Sequence, residues 1–155
     1  MYECNQFTRT ELALGKDGIE KLKNSKIVLF GLGGVGSYIA EALARVGVGN
    51  LIIVDGDTVD ITNINRQLIA NINTIGKNKA ELVKERISLI NPLANVVAIS
   101  KFVKSEDDID FIDGTVDYVI DAIDDFDAKI MIIKKAKELG LNLISSMGTA
   151  KRLYG

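Results

Sequence analysis

Gly31, Gly33, Gly34 and Gly36 stand in the run GLGGVG, and Gly31, Gly33 and Gly36 fit the spacing GxGxxG. A glycine-rich bend between a strand and a helix turns backbone N–H groups and the positive end of a helix dipole toward one point, where a phosphate binds. Gly34 removes one more Cβ from that path. The same spacing also serves tight strand-to-helix packing, so the bend alone leaves two readings. Asp55 lies about 20 residues further on, where a carboxylate accepts hydrogen bonds from ribose hydroxyls. Asp57 follows closely and suits either the same site or a turn or helix cap. These residues fit NAD as well as ATP.

Two cations separate those ligands. TNINRQ and GKNKAE place Arg66 and Lys79 thirteen positions apart, both beyond the ribose acid. Such a pair suits a ligand with more phosphate charge than a dinucleotide carries, which favours ATP. Arg66 can fork onto phosphate oxygens, and Lys79 can stabilise charge as pyrophosphate leaves. Asn63 and Gln67 can orient phosphate or ribose through neutral hydrogen bonds. The competing reading is an exposed helical face carrying ordinary surface charge.

VIDAIDD brings acids to the end of another apolar run. Asp124 suits Mg²⁺, a hard cation that is held by one or two carboxylates together with substrate phosphates. Asp121 can help directly or by orienting its neighbours. Helix N-capping by Asp124 or Asp125 satisfies the same residues.

Positioning these groups requires strands that end on one edge. Five short apolar runs predict strands at Lys26–Phe30, Asn50–Val54, 95–100, 117–122 and 142–146. Their near-continuous hydrophobicity predicts a parallel sheet covered on both faces. Apolar residues at three- and four-residue spacing predict helices over 35–46, 78–90 and 126–139. Pro92 and Gly140 supply stops for the last two. Alternation of these elements predicts an α/β, Rossmann-like, doubly wound fold with a mainly parallel sheet and helices on both faces. The acidic stretch 105–114 reads as a short surface helix or loop. Asp107, Asp108, Asp110 and Asp113 there suggest either a cation site or solvated charge, the second being favoured.

The chain has 155 residues, 47% of them hydrophobic, which suits one domain over residues 1–155. A net charge of −2 gives no overall pull toward nucleic acid or an anionic membrane. No apolar run reaches spanning length, so a cytoplasmic protein with no membrane partner is expected. Histidine is absent and Cys4 is the one cysteine, which excludes an intrachain disulfide, a four-cysteine zinc site and a His-dependent triad.

Taken in order, GLGGVG, LIIVDGDTV, TNINRQ, GKNKAE, INP and VIDAID resemble the signature series of the ThiF-type, ubiquitin-activating-enzyme-like adenylating family. The combination of RTELALGKDGIEKLKNSKI, NINRQ and LISSMGTA is most similar to its tRNA threonylcarbamoyladenosine dehydratase branch. The resemblance implies an ATP- and Mg²⁺-dependent enzyme that adenylates a carboxylate and then closes it into a ring. It assigns the phosphate bend to Gly31, Gly33, Gly34 and Gly36, and ribose to Asp55. ATP or transition-state contacts fall to Asn63, Arg66, Gln67 and Lys79, and the metal to Asp124. Arg9 falls near an N-terminal arginine that enters the neighbouring subunit's nucleotide site in related dimers; a surface arginine is the other reading.

A tRNA substrate, a homodimer and sulfur-transfer partner proteins follow from the same likeness. Family members ordinarily continue into a second half past the SSMG-like strand, so a fragment or a shortened form is expected. Thioester-forming relatives need a later cysteine, which this chain lacks. The alternative functions are a sulfur-carrier-protein adenylyltransferase, a NAD-dependent oxidoreductase and a catalytically idle nucleotide-binding fragment.

Overall fold

The computed structural model describes residues 4–147. Within that span the chain runs α1 (Thr8–Asn24), β1 (Lys26–Phe30), α2 (Gly36–Val46), β2 (Asn50–Val54), α3 (Lys79–Ile90), β3 (Asn95–Ile99), β4 (Tyr118–Asp121), α4 (Phe126–Glu138) and β5 (Asn142–Ser145). Short 3-10 turns occupy Ile61–Asn63 and Glu106–Ile109. The end of the LISSMGTA motif and the final five residues lie outside the described span.

The five strands form one sheet in the order β3-β2-β1-β4-β5, and every pairing is parallel. This is the expected doubly wound α/β architecture, with the chain reversing direction across the sheet between β1 and β4. Successive residues of a strand face opposite sides, and β1 divides its side chains accordingly. Ile27 and Leu29 pack with Ala40, Ala44, Val83 and Ile87 of α2 and α3. Val28 and Phe30 pack with Ile132 and Ala136 of α4 and with Ile109, Ile112 and Val116. Val28, Leu29 and Phe30 are wholly buried.

Two expectations change. Coverage on both faces holds for β1, β2 and β4, but Val97 of β3 and Ile144 of β5 are exposed, because both strands are outermost in the described sheet. The stretch 105–114 is acidic on its solvent side, yet Ile109 and Ile112 seal the second core. Its carboxylates do not converge: Asp108 meets Lys101, Asp110 meets Lys135 and Asp113 meets Lys26. No group of three potential metal-binding side chains occurs among the described residues.

Helix α1 is an addition to the three helices expected from the sequence, although it is amphipathic. It buries no residue completely, and Gly15 interrupts its helical backbone at φ 73°. Its last turn docks through Leu22, whose carbonyl accepts from the N–H of Gly49. A Cβ on Gly49 would lie 1.8 Å from the Lys23 carbonyl oxygen, so only glycine lets the two segments meet. Among the described residues, no helix is long and apolar enough to cross a membrane.

Candidate functional site

Strands β1, β2 and β4 end on one edge of the sheet, and a cavity of about 670 Å³ opens there. It lies at the crossover between β1 and β4, the place where doubly wound sheets take ligands. Gly31, Gly33, Gly34, Asp55, Asp57, Asn63, Arg66, Gln67, Lys79 and Asp124 all line it. Residues far apart in sequence are thus brought to one surface.

The glycines of the bend divide by role. Gly31 has φ 83°, and a Cβ there would lie 2.7 Å from the Ala122 carbonyl oxygen. Gly36 does not line the cavity: a Cβ on it would meet the Gly31 carbonyl oxygen at 1.7 Å. Glycine is therefore required here by packing, which lets α2 start against the bend. Gly33 and Gly34 differ again. A Cβ on either would make only ordinary contacts, at 3.7 Å and 3.5 Å, so protein packing does not require glycine at these two positions. Both face the cavity, and the space that their missing side chains leave is open to it.

Asp55 ends β2 with both carboxylate oxygens engaged. Oδ2 accepts from the Leu32 N–H at 2.7 Å and Oδ1 from the Asp57 N–H at 2.8 Å. Burial raises the Asp55 pKa above the usual carboxylate value, against the opposing hydrogen bonds from Asp57 and Leu32 and the nearby Lys79 charge. Each oxygen keeps a second lone pair for a ligand hydroxyl.

Lys79 is held beside this acid by a short backbone ladder. Val59 N–H donates to the Lys77 carbonyl, Gly76 N–H to Val59, and Lys79 N–H to Asp57. Lys79 is only 4% exposed and its Nζ lies 2.8 Å from Asp57 Oδ2, which rules out the surface-charge reading for it. Asp57 serves as the counter-ion. Asn78 caps α3 by accepting from the Glu81 N–H.

Arg66 follows the 3-10 turn Ile61–Asn63 rather than lying on a helical face. Its guanidinium donates to the Thr62 carbonyl and to Asn65 Oδ1, and it meets no carboxylate among the described residues. Its positive charge is free for an anion. Ser37 ties this segment to the bend, its hydroxyl donating to the Gly33 carbonyl and accepting from the Leu68 N–H. Asn63 Oδ1 accepts from the Asp60 N–H and closes the turn. Gln67 is 7% exposed, and its Oε1 is buried with no hydrogen-bond partner among the described residues. A buried amide oxygen left unpaired is costly, so a donor belongs there.

Asp125, not Asp124, caps α4, accepting from the Ala128 N–H at 2.9 Å. Asp124 is exposed at the cavity and makes no ion pair among the described residues. Asp121 is wholly buried and pairs with Lys129 at 2.6 Å, so a direct ligand role for it is corrected. Arg9 is exposed on α1 and does not line this cavity.

Sequence reading missed the wall formed by Lys101, Phe102, Val103 and Lys104, which line the cavity just past β3. Its signal was position alone, since every segment leaving a carboxyl end of such a sheet faces the crevice. Asp108 pins this wall by accepting from the backbone N–H groups of Lys104 and Ser105 and from Lys101 Nζ. Those hydrogen bonds, the Lys104 N–H foremost, lower its pKa to about 2.

Fold and site together define a Rossmann-like α/β domain whose crevice is lined by glycine backbone, by the cations Arg66, Lys79, Lys101 and Lys104, and by the exposed carboxylate of Asp124. Residues 7–152 match the ThiF family, and the chain belongs to it. It is 51% identical over 96% of its length to the tRNA threonylcarbamoyladenosine dehydratase of Bacillus subtilis, and 44% identical over 85% to that of Haemophilus influenzae. The Escherichia coli tRNA N6-threonylcarbamoyladenosine dehydratase TcdA, solved in complex with ATP, superposes with a TM-score of 0.90 at 35% identity over 96% of this chain. The chain spans 58% and 51% of the two sequence relatives and 61% of the solved structure.

Proposed function

We propose that residues 1–155 form a single ATP-binding domain, the nucleotide-holding part of a tRNA threonylcarbamoyladenosine dehydratase. The observation that carries this reading is the meeting of Gly33, Gly34, Arg66, Lys79 and Asp124 in one cavity. The Escherichia coli structure with ATP supports the same ligand. The open space over Gly33 and Gly34 and the unpartnered Gln67 Oε1 both fit a bound nucleotide.

In this reading the phosphates lie along the 31–34 backbone, and Asp55 accepts from the ribose. Arg66 forks onto phosphate oxygens, Lys79 shifts from Asp57 toward the leaving pyrophosphate, and Asn63 and Gln67 fix orientation. Asp124 holds Mg²⁺, which screens phosphate charge when bound. The substrate carboxylate attacks the α-phosphorus, a P–O bond breaks, and pyrophosphate departs. The resulting acyl-adenylate is attacked by an internal nitrogen or oxygen of the threonylcarbamoyl group, and AMP leaves, so the net change is loss of water. Arg66 and Lys79 supply charge stabilisation, and the rigid bend supplies positioning. A homodimer in which Arg9 serves the neighbouring subunit's site, sulfur-transfer partners and a cytoplasmic location accompany this proposal.

The test is calorimetric titration with Mg-ATP and with NAD, then exchange of labelled pyrophosphate into ATP with candidate substrates. Exchange that depends on threonylcarbamoyladenosine-containing tRNA is expected. Exchange with a sulfur-carrier protein instead selects the adenylyltransferase reading, NAD binding without ATP binding selects the oxidoreductase, and ATP binding without exchange in the protein extended to its relatives' length selects an idle domain.

A further inference from the structure

Beneath the cavity floor lies a closed polar group that the proposed chemistry does not use. Lys129 on α4 is 4% exposed and Asp121 at the end of β4 is fully buried, yet they form an ion pair at 2.6 Å. Ser145 Oγ donates to the same Asp121 Oδ2 at 2.6 Å, and Lys129 Nζ also donates to the Ser146 carbonyl at 3.0 Å. The other Asp121 oxygen, Oδ1, accepts from the Ile123 N–H at 3.2 Å. Neither Asp121 nor Lys129 lines the cavity, but Ile123, Asp124, Ala128 and Ser146 do.

A buried ion pair is a poor source of stability, because desolvating two charges offsets most of their attraction and apolar residues of like volume fill the space as well. What the pair supplies is direction. On one side the Asp121 carboxylate fixes the Ile123 N–H, and on the other the Asp125 cap fixes the first turn of α4. Asp124 sits between these two anchors. The same pair grips the ends of β4 and β5 together, assisted by the Ser146 N–H donating to the Asp121 carbonyl. Groups that orient a metal-holding carboxylate from behind commonly matter to metal affinity nearly as much as the ligand does.

We infer that Lys129 and Ser145, acting through Asp121, are positioning residues that aim the Asp124 carboxylate at the cation accompanying a bound nucleotide. This rests on the proposed ATP site and specifies which residues set its metal dependence. Lys129 itself is enclosed and does not serve as a phosphate contact.

The experiment is calorimetric titration of ATP, with and without Mg²⁺, into the 155-residue chain and its variants, with circular dichroism as the check on folding. Ser145→Ala leaves the ion pair in place, and Asp121→Asn with Lys129→Gln replaces it by a neutral pair of similar reach. Metal-free ATP binding is expected to stay within about twofold in both, while the gain in affinity from Mg²⁺ falls by about tenfold in the paired variant and by a smaller factor in Ser145→Ala. Asp124→Ala is expected to abolish that gain, and adding Ser145→Ala to it is expected to change nothing more. An unaltered Mg²⁺ gain in Ser145→Ala, or equal losses with and without the metal, overturns the inference alone. If the paired variant does not fold, Ser145→Ala decides. Failure of the unsubstituted chain to bind ATP at all overturns the nucleotide reading and this inference with it.

Discussion

The carboxylate of Asp55 grips the backbone N–H of Leu32 at 2.7 Å, inside the glycine bend. The acid proposed for ribose is therefore also a clamp that holds the backbone of the glycine bend in shape. Asp55→Ala removes an acceptor from two backbone donors and is expected to cost about 1–3 kcal/mol of stability in addition to weakening nucleotide binding. Thermal unfolding and ATP titration on the same variant measure the two losses together.

Burial raises the Asp55 pKa, and the sign of the consequence follows. A carboxyl easier to protonate in the folded chain than in the unfolded one favours folding below its unfolded pKa, and this contribution is lost as pH rises through the higher folded value. The ionised acid at neutral pH is thus kept at a cost. Bound nucleotide, through its ribose hydroxyls, is expected to offset that cost and to lower the pKa; carboxyl NMR titration with and without ATP checks the direction.

Glycines of the bend should respond differently to alanine. Gly36→Ala drives a Cβ into the Gly31 carbonyl and is expected to destabilise the fold by roughly 3 kcal/mol or more, seen in denaturant unfolding. Gly33→Ala meets no protein atom closer than 3.7 Å, so melting should barely move while ATP affinity falls.

Arg66 is exposed and without a carboxylate partner among the described residues, so Arg66→Ala should alter stability by no more than about 0.5 kcal/mol. Pyrophosphate exchange should drop by about 10²–10³-fold if the guanidinium stabilises developing phosphate charge. Loss of folding in step with activity would place Arg66 among structural residues instead.

Acid should loosen the wall past β3 before the sheet. Asp108, with its pKa lowered to about 2, contributes stability that is present above the unfolded value of 3.8 and is lost as pH falls through its folded value. Between those limits the Lys104 and Ser105 amides are expected to lose hydrogen-exchange protection while those of Leu29 and Phe30 keep theirs.

Fold class, the approximate strand bounds and the charged and glycine residues at the cavity were readable because apolar runs and glycine spacing are local signals, whereas the order of strands in the sheet and the apolar lining such as Phe30, Val54, Phe102 and Ile123 depend on how distant segments pack. Helix α1 is set apart by a polar, mostly exposed sequence broken at Gly15: it buries no residue completely and joins the core chiefly through Leu22, with backbone contacts to the Gly49 turn that no side-chain pattern records. Gly33 and Gly36 look alike in the motif; only the nearest atoms distinguish a ligand-facing position from a packing one. Likewise VIDAIDD offered three acids for three roles. Burial beside Lys129, capping of Ala128 and open exposure sorted Asp121, Asp125 and Asp124.

The bend at 31–36 is the direct continuation of the central strand, whose hydrogen bonds run to β2 on one side and β4 on the other. Any opening that distorts the bend must therefore break into the best-protected part of the molecule. Docking a ligand then calls for little rearrangement at the bend, and induced backbone movement should be confined to the periphery, the Arg66 segment and the Lys101–Lys104 strip, with Lys79 moving by its side chain alone.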